Sequence, residues 1–260
     1  RQRQMCIRDR AKYKAIQNAE RLAINPDLFK DTITLNVTPR PEESKKISDM
    51  LIGVFFEDIN YGADGGLYAE LVQNRDFEYS PNDIGREENW TATNSWSTDG
   101  EGLSFDIDTV APLHAHNPHY AVLDIKEKGH GLVNDGFDGI PVKAGEKYDF
   151  SVFARSTSNK RGKIIVRLLD EDGKVIGEAP TGKISKTWNK LTAVVKATGS
   201  AVNGCIEVIP DMEGEVNLDM VSLFPQKTFK NRKNGMRADL AQAIADIRPR
   251  FVRFPGGCVA

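Results

Sequence analysis

Glu57 and Asp58 are the residues of this sequence best positioned to do chemistry, because they follow directly on the apolar run of residues 50–56. Such a run is typical of a strand buried on both faces, and a carboxylate at its end is costly unless it faces a cleft or a partner. In parallel α/β folds, reactive groups gather at the carboxyl ends of the strands. The pattern favours a site at Glu57, with a helix cap or an ion pair with Arg253 left open as the structural alternative.

A second candidate lies near the other end of the sequence. Arg253 interrupts the short apolar run of residues 251–254, and a cation there needs a carboxylate or a ligand to compensate its desolvation, with Glu57 as the natural choice. The proline and two glycines of residues 255–257 allow a sharp turn and a close approach to a ligand. Cys258 follows them, but the neighbouring segments contain no histidine to activate it as a nucleophile.

For the other residues with metal-binding or nucleophilic side chains, the sequence favours a structural role over a chemical one. His114, His116 and His119 have a spacing that suits a metal, yet they lie in a polar stretch that favours a solvated loop. Cys205 falls in a predicted strand, where a small buried hydrophobe is expected. The sequence has no P-loop, dinucleotide fingerprint or serine elbow. No metal and no cofactor are expected.

Composition limits the partners. The 260 residues carry a formal net charge of -2, which gives none of the basic field that nucleic acid or an anionic membrane surface requires. No apolar run approaches the length of a membrane span, and no signal peptide is recognisable. Three cysteines at positions 6, 205 and 258 are too few and too scattered for a disulfide framework.

The elements around Glu57 and Arg253 predict an α/β fold. After the apolar run, three glycines indicate a turn and residues 67–72 a helix. Helical periodicity returns after residue 235, with Leu240, Ile244 and Ile247 on one face, and leads to a buried strand at 251–254. Strand, helix and second strand predict the start of a (β/α)8 barrel.

The block between them has a different texture. Short strands separated by turns such as Asp172–Gly173 predict an inserted β-sandwich. The clearest strands are residues 148–154, 163–169, 191–195, 205–209 and 216–224. All three tryptophans and all four histidines fall in this block, and a buried position is the expectation for Trp90, Trp96 and Trp188.

The amino-terminal residues carry weaker signals. Residues 1–10 match the translation of a sequencing-library adapter and are excluded from the fold, residues 11–24 indicate a linker helix or the tail of another module, and residues 32–37 alternate like a half-buried strand. The predicted organisation is adapter and linker (1–30), a strand and the start of the barrel (31–85), the sandwich (86–226), and the continuation of the barrel, cut short at the end of the sequence (227–260).

Two motifs resemble a known family. Residues 53–60 (GVFFEDIN) with 65–75 (GGLYAELVQNR), and residues 253–258 (RFPGGC), are similar to the opening strands of glycoside hydrolase family 51. The insert separately resembles a carbohydrate-binding module of the 4/9 type, through residues 139–148 (GIPVKAGEKY) and 217–225 (NLDMVSLFP). This resemblance implies a jelly-roll fold for the sandwich.

The resemblance implies a retaining α-L-arabinofuranosidase acting on arabinose-containing plant polysaccharide. Such an enzyme needs two carboxyl groups about 5 Å apart, and in the family both lie on later barrel strands, so no catalytic residue is expected in this chain. Glu57 matches a glutamate that hydrogen-bonds the arabinose hydroxyls, Cys258 a residue that lines the same subsite, and Arg253 a supporting charge. The alternative function is glycan binding by the sandwich without catalysis.

For the complete enzyme, the resemblance implies secretion or a periplasmic location and leaves homo-oligomer formation open. Without the rest of a barrel, residues 50–56 and 251–254 are expected to leave apolar surface uncovered.

Overall fold

The computed structural model describes residues 34–58, 61–80, 90–158 and 162–255. The chain divides into two compact units, residues 1–48 and 49–260. In the first unit the described residues are exposed and contain a short 3-10 turn at Pro41–Glu43. The predicted strand at 32–37 is wrong over its described part: Leu35 and Val37 are exposed, and no described strand pairs with them. The predicted helix at 11–24 lies outside the described residues.

The second unit holds the described strands and the helix α1. In chain order they are β1 (Val54–Phe55), β2 (Trp96–Thr98), β3 (Leu103–Asp108), β4 (Tyr120–Ile125), β5 (Leu132–Asn134), β6 (Ile140–Val142), β7 (Lys147–Arg155), β8 (Lys163–Leu169), β9 (Val175–Lys183), β10 (Asn189–Lys196), β11 (Ala201–Pro210), β12 (Gly214–Pro225), α1 (Ala238–Ile247) and β13 (Val252–Arg253). A single 3-10 turn follows β12 at Phe229–Asn231 in the described chain.

Two antiparallel sheets form a β-sandwich, as the sequence predicts. Sheet one has the strand order β10-β7-β12-β4-β3. Sheet two has the order β2-β5-β11-β8-β9, and β6 pairs with β11. Each of the clearest predicted strands is present and extends by at most a few residues beyond its predicted ends, apart from β8, whose ends match. The Asp172–Gly173 turn is also present, with Gly173 at a φ of +76°.

Alternation of burial along the strands builds the core between the sheets. In β7 every second side chain is buried, and β8 shows the same period, as expected of strands with one face on a core and one towards solvent. Sheet one contributes residues such as Leu123 and Phe150, and sheet two residues such as Val166 and Ile206, to one apolar cluster. The core therefore lies between the sheets.

Segment 67–80 is an unexpected part of this core. The helix predicted at 67–72 is wrong: the segment is extended and contains turns, while Val72 and Phe77 are buried in the sandwich cluster. Tertiary contacts override the helical periodicity here. The backbone N–H of Leu71 donates to the carbonyl of Leu223 in β12 at 3.0 Å, and that of Ala69 donates to the carbonyl of Gly235 at 3.2 Å. A helix would give up both contacts.

Outside the sandwich, β1 and β13 pair in parallel, with Val54 opposite Val252 and Phe55 opposite Arg253. The predicted strand burial at residues 50–56 and 251–254 is wrong for most of these side chains, since Ile52, Phe55, Val252 and Phe254 are all more than half exposed. Apolar surface on this strand pair is thus uncovered, as the sequence predicts. The helix α1 agrees with the predicted periodicity, although Leu240 and Ile247 are exposed too.

Candidate functional site

The first candidate site lies at the carboxyl end of β1. Glu57 is the second residue after β1, beyond the point where the N–H of Phe56 bonds to the carbonyl of Arg253 at 3.0 Å. Its side chain is half-buried, and its Oε1 is buried without a hydrogen-bond partner. A buried carboxylate oxygen left unsatisfied costs free energy that a ligand hydroxyl or a missing neighbour would recover.

Arg253 does not provide that partner. Its guanidinium lies over the ring of Phe55, 5.1 Å from the ring centroid, and its side chain is exposed. No ion pair joins it to Glu57 in the described part of the chain, so the ion-pair alternative from the sequence is wrong. β1 and β13 bring the two residues to neighbouring strands, but cation–π contact replaces the expected charge pair. Cys258 lies outside the described residues.

Asp58 has a local structural role. Its Oδ1 accepts a hydrogen bond from the backbone N–H of Ala63 at 2.8 Å, which ties Asp58 to the stretch that contains the glycines at 62, 65 and 66. Gly66 fits tightly there, because a Cβ on it would lie 2.2 Å from the carbonyl oxygen of Tyr61. The side chain after Glu57 is thus engaged by the backbone of the same segment.

Other predicted chemistry does not converge on this site. Among the described residues, no group of three or more His, Cys, Asp or Glu side chains could hold a metal ion. His119 lies against the carboxylate of Glu78 instead of the other histidines, with Nδ1 and Oε2 2.5 Å apart. Cys205 is half-buried in β11, and burial raises the pKa of its thiol to about 11, which keeps it protonated and unreactive at neutral pH.

A second candidate lies on the outer face of sheet one. Arg155 of β7 and Asn217 of β12 are directly opposite across the two strands. The Nε of Arg155 and the Oδ1 of Asn217 are buried, and neither has a hydrogen-bond partner. The Arg155 guanidinium lies 4.6 Å from the centroid of the Trp188 ring and 5.2 Å from that of Tyr120. A donor, an acceptor and aromatic surface therefore meet at one place.

Arg155, Asn217, Tyr120 and Trp188 are called the outer-face cluster below. Asp219 adds to this cluster, two residues after Asn217 along β12. It has no exposed surface, and burial raises the pKa of its carboxyl to about 7, with the charges of Asp76 and Glu78 acting in the same direction. Asn117 donates to both of its oxygens at 3.3–3.4 Å. The cluster holds a carboxyl group that titrates near neutral pH.

The sequence interpretation did not single out Arg155, Asn217 or Asp219 as site residues. A signal was available in β12, where Asn217 and Asp219 alternate with the apolar Val216 and Leu218 of the core face. Polar side chains on the outer face of a strand are ordinary. Asn217 and Asp219 differ from ordinary outer-face residues in being buried, and burial depends on the tertiary structure.

The tryptophans divide between core and surface. Trp96 is buried as expected, and its indole N–H donates to the carbonyl of Asn74 at 2.8 Å. Trp90 and Trp188 are only half-buried, so the expectation of a buried position is wrong for them. Trp188 donates to the carbonyl of Ala111 at 3.1 Å, which fixes its ring beside Arg155.

Comparison with known proteins now adds to this geometry. A family model described as Carbohydrate binding domain, of the 4/9 type, matches residues 69–211, which is more than half of the chain. This chain belongs to the carbohydrate-binding domain family. The match includes segment 69–80, in keeping with its place in the sandwich core.

Relatives that match most of the chain are named as α-L-arabinofuranosidases. An extracellular exo-α-L-arabinofuranosidase of Streptomyces chartreusis is 41% identical over 231 residues, covering 88% of this chain and 26% of the relative. α-L-Arabinofuranosidase 1 of Arabidopsis thaliana is 32% identical over 248 residues, covering 88% of this chain and 34% of the relative. The chain therefore spans about a quarter to a third of the length of these relatives.

A solved structure gives the same result. The arabinose-bound family 51 α-L-arabinofuranosidase MgGH51 superposes with a TM-score of 0.70 at 33% identity, covering 80% of this chain and 34% of that protein. The resemblance to family 51 arabinofuranosidases, with an inserted module of the 4/9 type, is thus confirmed. In the described chain, no helix is long and apolar enough to cross a membrane.

Proposed function

We propose that this carbohydrate-binding chain is part of a retaining α-L-arabinofuranosidase, and that Glu57 binds the arabinose hydroxyls of its substrate. The buried, unpartnered Oε1 of Glu57 at the end of β1 carries the proposal. A carboxylate oxygen is a strong acceptor for a sugar hydroxyl, and charge-assisted hydrogen bonds contribute about 1.5–3 kcal/mol. The similarity to the arabinose-bound MgGH51 structure supports a sugar as the ligand.

The order of elements around Glu57 supports a barrel. β1, the inserted sandwich, α1 and β13 follow one another, and β1 and β13 are parallel neighbours. In this proposal they are the first two strands of a (β/α)8 barrel, with a jelly-roll sandwich at 86–226 inserted between β1 and α1, the barrel starting within 31–85 and resuming at 227–260. Ligands of such barrels bind at the carboxyl ends of the strands, where Glu57 lies.

Arg253 and Cys258 have lesser roles in the proposal. Arg253 supports the site as a charge on the neighbouring strand, and its contact with Phe55 leaves Oε1 of Glu57 free for a hydroxyl. Cys258 lines the same subsite. The acid/base and the nucleophile are carried by later strands that are not among these 260 residues, and the substrate is arabinose-containing plant polysaccharide.

Hydrolysis of p-nitrophenyl α-L-arabinofuranoside tests this function in two steps. The 260-residue chain alone should give no turnover, and turnover would contradict the proposed absence of the catalytic pair. The complete gene product should hydrolyse the substrate, and E57Q should lower its kcat/KM by roughly 30- to 100-fold through a lost charge-assisted hydrogen bond. E178Q, on the exposed surface of β9, is the control. Equal activity of E57Q and E178Q would exclude the role proposed for Glu57.

A second function, glycan binding by the outer face of sheet one, is favoured by the unpartnered Arg155 Nε and Asn217 Oδ1. Sugar hydroxyls would satisfy both atoms, while the Trp188 ring packs against the C–H face of the sugar. Replacing Asn217 by alanine removes a buried acceptor that has no partner, so stability should be unchanged or higher, whereas affinity for xylohexaose should fall. Calorimetric titration and thermal unfolding measure the two effects. A loss of stability with unchanged affinity would give Asn217 a purely structural role.

A further inference from the structure

A separate cavity of about 480 Å³ lies where the loop after β1 meets the sandwich. Tyr61 enters it from the β1 side, only four residues after Glu57. Gln73 and Trp90 line it from the segments that follow, and Asp135 and Asp138 line it from the loop between β5 and β6. None of these residues belongs to the outer-face cluster or to the strand end at Glu57.

Two aromatic side chains form walls of the cavity. Trp90 stacks on Tyr79, with ring centroids 4.4 Å apart and planes 11° from parallel, so the indole is held in a fixed orientation. Tyr61 is 37% exposed and meets Phe137 edge to face at 5.2 Å. Its backbone has a φ of 60°, a conformation that non-glycine residues seldom adopt. Aromatic surface held this way is suited to the apolar C–H face of a sugar ring.

Amide and hydroxyl groups are ordered between these walls. Gln73 is 5% exposed; its Nε2 donates to the Tyr61 hydroxyl at 3.2 Å, and its Oε1 accepts from Ser95 Oγ at 2.8 Å. Asn134 fixes the Gln73 backbone from both sides, accepting from its N–H at 3.2 Å and donating to its carbonyl at 2.9 Å. The polar groups are therefore pre-organised, which lowers the entropic cost of binding.

The loop that carries the two aspartates is fixed by the same residue. Asn134 Oδ1 also accepts from the N–H of Gly136 at 2.9 Å. Gly136 has a φ of +63°, and a Cβ on it would lie 2.7 Å from the carbonyl oxygen of Leu71, so only glycine fits this close approach. The loop is thereby held against segment 67–80.

The charges of the cavity select the class of ligand. Asp135 and Asp138 are both exposed, and no Lys, Arg or His belongs to the described residues that line the cavity. The two carboxylates repel phosphate and uronate groups. They accept hydrogen bonds from vicinal hydroxyls, which uncharged sugars carry in abundance.

We propose that this cavity is a binding subsite for a neutral sugar residue of a plant polysaccharide chain, separate from the pocket at Glu57. Trp90 and Tyr61 provide the stacking surface, and Asp135 and Asp138 bind hydroxyls. Gln73 and Asn94, which also lines the cavity, provide amide contacts. The site goes beyond the proposed hydrolase function, because it needs neither catalysis nor Glu57. It gives the inserted module a direct contact with the glycan at the loop that leaves β1.

Calorimetric titration of the 260-residue chain with xylohexaose and arabinohexaose, in EDTA, tests the subsite. D138N should weaken binding of at least one of these glycans several-fold, and W90A by about tenfold or more. The matched control D172N, on the exposed turn before β9, should bind as the unaltered chain does. Thermal unfolding confirms that W90A is folded, and D138N tests the site independently if it is not.

Four further arms separate the alternatives. Loss of the glycan signal in E57Q would assign that signal to the Glu57 pocket and overturn the separate subsite. Complete loss of the glycan signal in N217A would assign that signal to the outer face of sheet one and overturn the subsite at Trp90. Trigalacturonate should not bind. Binding of calcium alone, with no glycan signal in EDTA, would identify the aspartates as a cation site and overturn the proposal. Failure of the hydrolysis tests would leave this binding intact.

Discussion

At the residue scale, burial governs the chemistry of Asp219. Its carboxyl has no exposed surface on the outer side of sheet one, and desolvation raises its pKa to about 7. Hydrogen bonds from the Met220 N–H at 2.6 Å and from Asn117 oppose the shift without cancelling it. A carboxylic acid that is neutral when folded and charged when unfolded couples stability to pH.

The sign of this coupling gives a prediction. Because the folded pKa lies above the ordinary value of 3.8, the contribution of Asp219 is fully present below pH 4 and is lost as pH rises to about 7. Within that window the free energy of unfolding should fall by up to about 1.4 kcal/mol per pH unit. D219N should flatten this slope in urea unfolding measured from pH 4 to 8. An unchanged slope in D219N would mean that Asp219 is ionised when folded.

Glu57 and Asn217 show a second residue-scale feature, a polar atom buried without a partner. Each costs stability in the free protein. Such atoms persist where a ligand compensates the cost. Replacing Glu57 or Asn217 should therefore weaken binding of the ligand without lowering the stability of the free protein. The hydrolysis assay of E57Q and the titration of N217A, each with thermal unfolding of the variant, measure that separation.

At the element scale, Glu70 attaches segment 67–75 to sheet one. It is 2% exposed. Its Oε1 accepts from the N–H groups of Leu71, Val72 and Leu223, at 3.0, 3.1 and 2.8 Å. Its Oε2 accepts from Ser222 Oγ at 2.5 Å and pairs with Arg75 at 3.4 Å. Desolvation nevertheless raises the pKa of this carboxyl.

Loss of the Glu70 carboxylate should therefore be costly. E70A leaves several buried donors without an acceptor, and we expect it to lower the free energy of unfolding by about 3 kcal/mol or more. E178A removes the exposed partner of Arg167 and should cost about 1 kcal/mol or less. Chemical denaturation of both variants gives the comparison. Equal effects would show that the contacts of Glu70 contribute no more than a surface ion pair.

At the scale of the whole molecule, buried apolar surface is concentrated in the sandwich and is scarce in α1 and the β1–β13 pair. The sandwich strands contribute the continuous core, whereas Phe55, Val252 and Phe254 are more than half exposed. In α1, Ala241 is the described residue that is buried. Local stability follows buried apolar contact, so the sandwich and the strand pair differ in the protection they can give their amides.

Hydrogen exchange should reveal this difference. Amides of β7, β8 and β12 should exchange slowly, while those of α1 and β13 exchange faster by orders of magnitude. Exchange read by mass spectrometry on the 260-residue chain measures both sets together. Equal protection would show that α1 and the β1–β13 pair fold as part of the same cooperative unit as the sandwich.

The sequence alone determined the sandwich strands, α1 and the Asp172–Gly173 turn. The strands have apolar residues at every second position, α1 has them at helical spacing, and the turn has its aspartate and glycine. Tertiary contacts reinforce each of these local patterns. The resemblance of residues 53–60 and 65–75 to family 51 was likewise recoverable, because each motif is a continuous run of the sequence.

Only the tertiary structure decided the rest. Residues 67–72 have helical spacing, but the buried carboxylate of Glu70 and the backbone of β12 hold them extended. Arg253 lies on the strand beside Glu57, yet it packs on Phe55, which spacing cannot predict. The outer-face cluster and the cavity at Trp90 join residues far apart in the chain. The role proposed for the cluster rests on polar atoms buried without a partner, and the role proposed for the cavity rests on aromatic and acidic side chains brought to one place. Only the packing of several segments determines either.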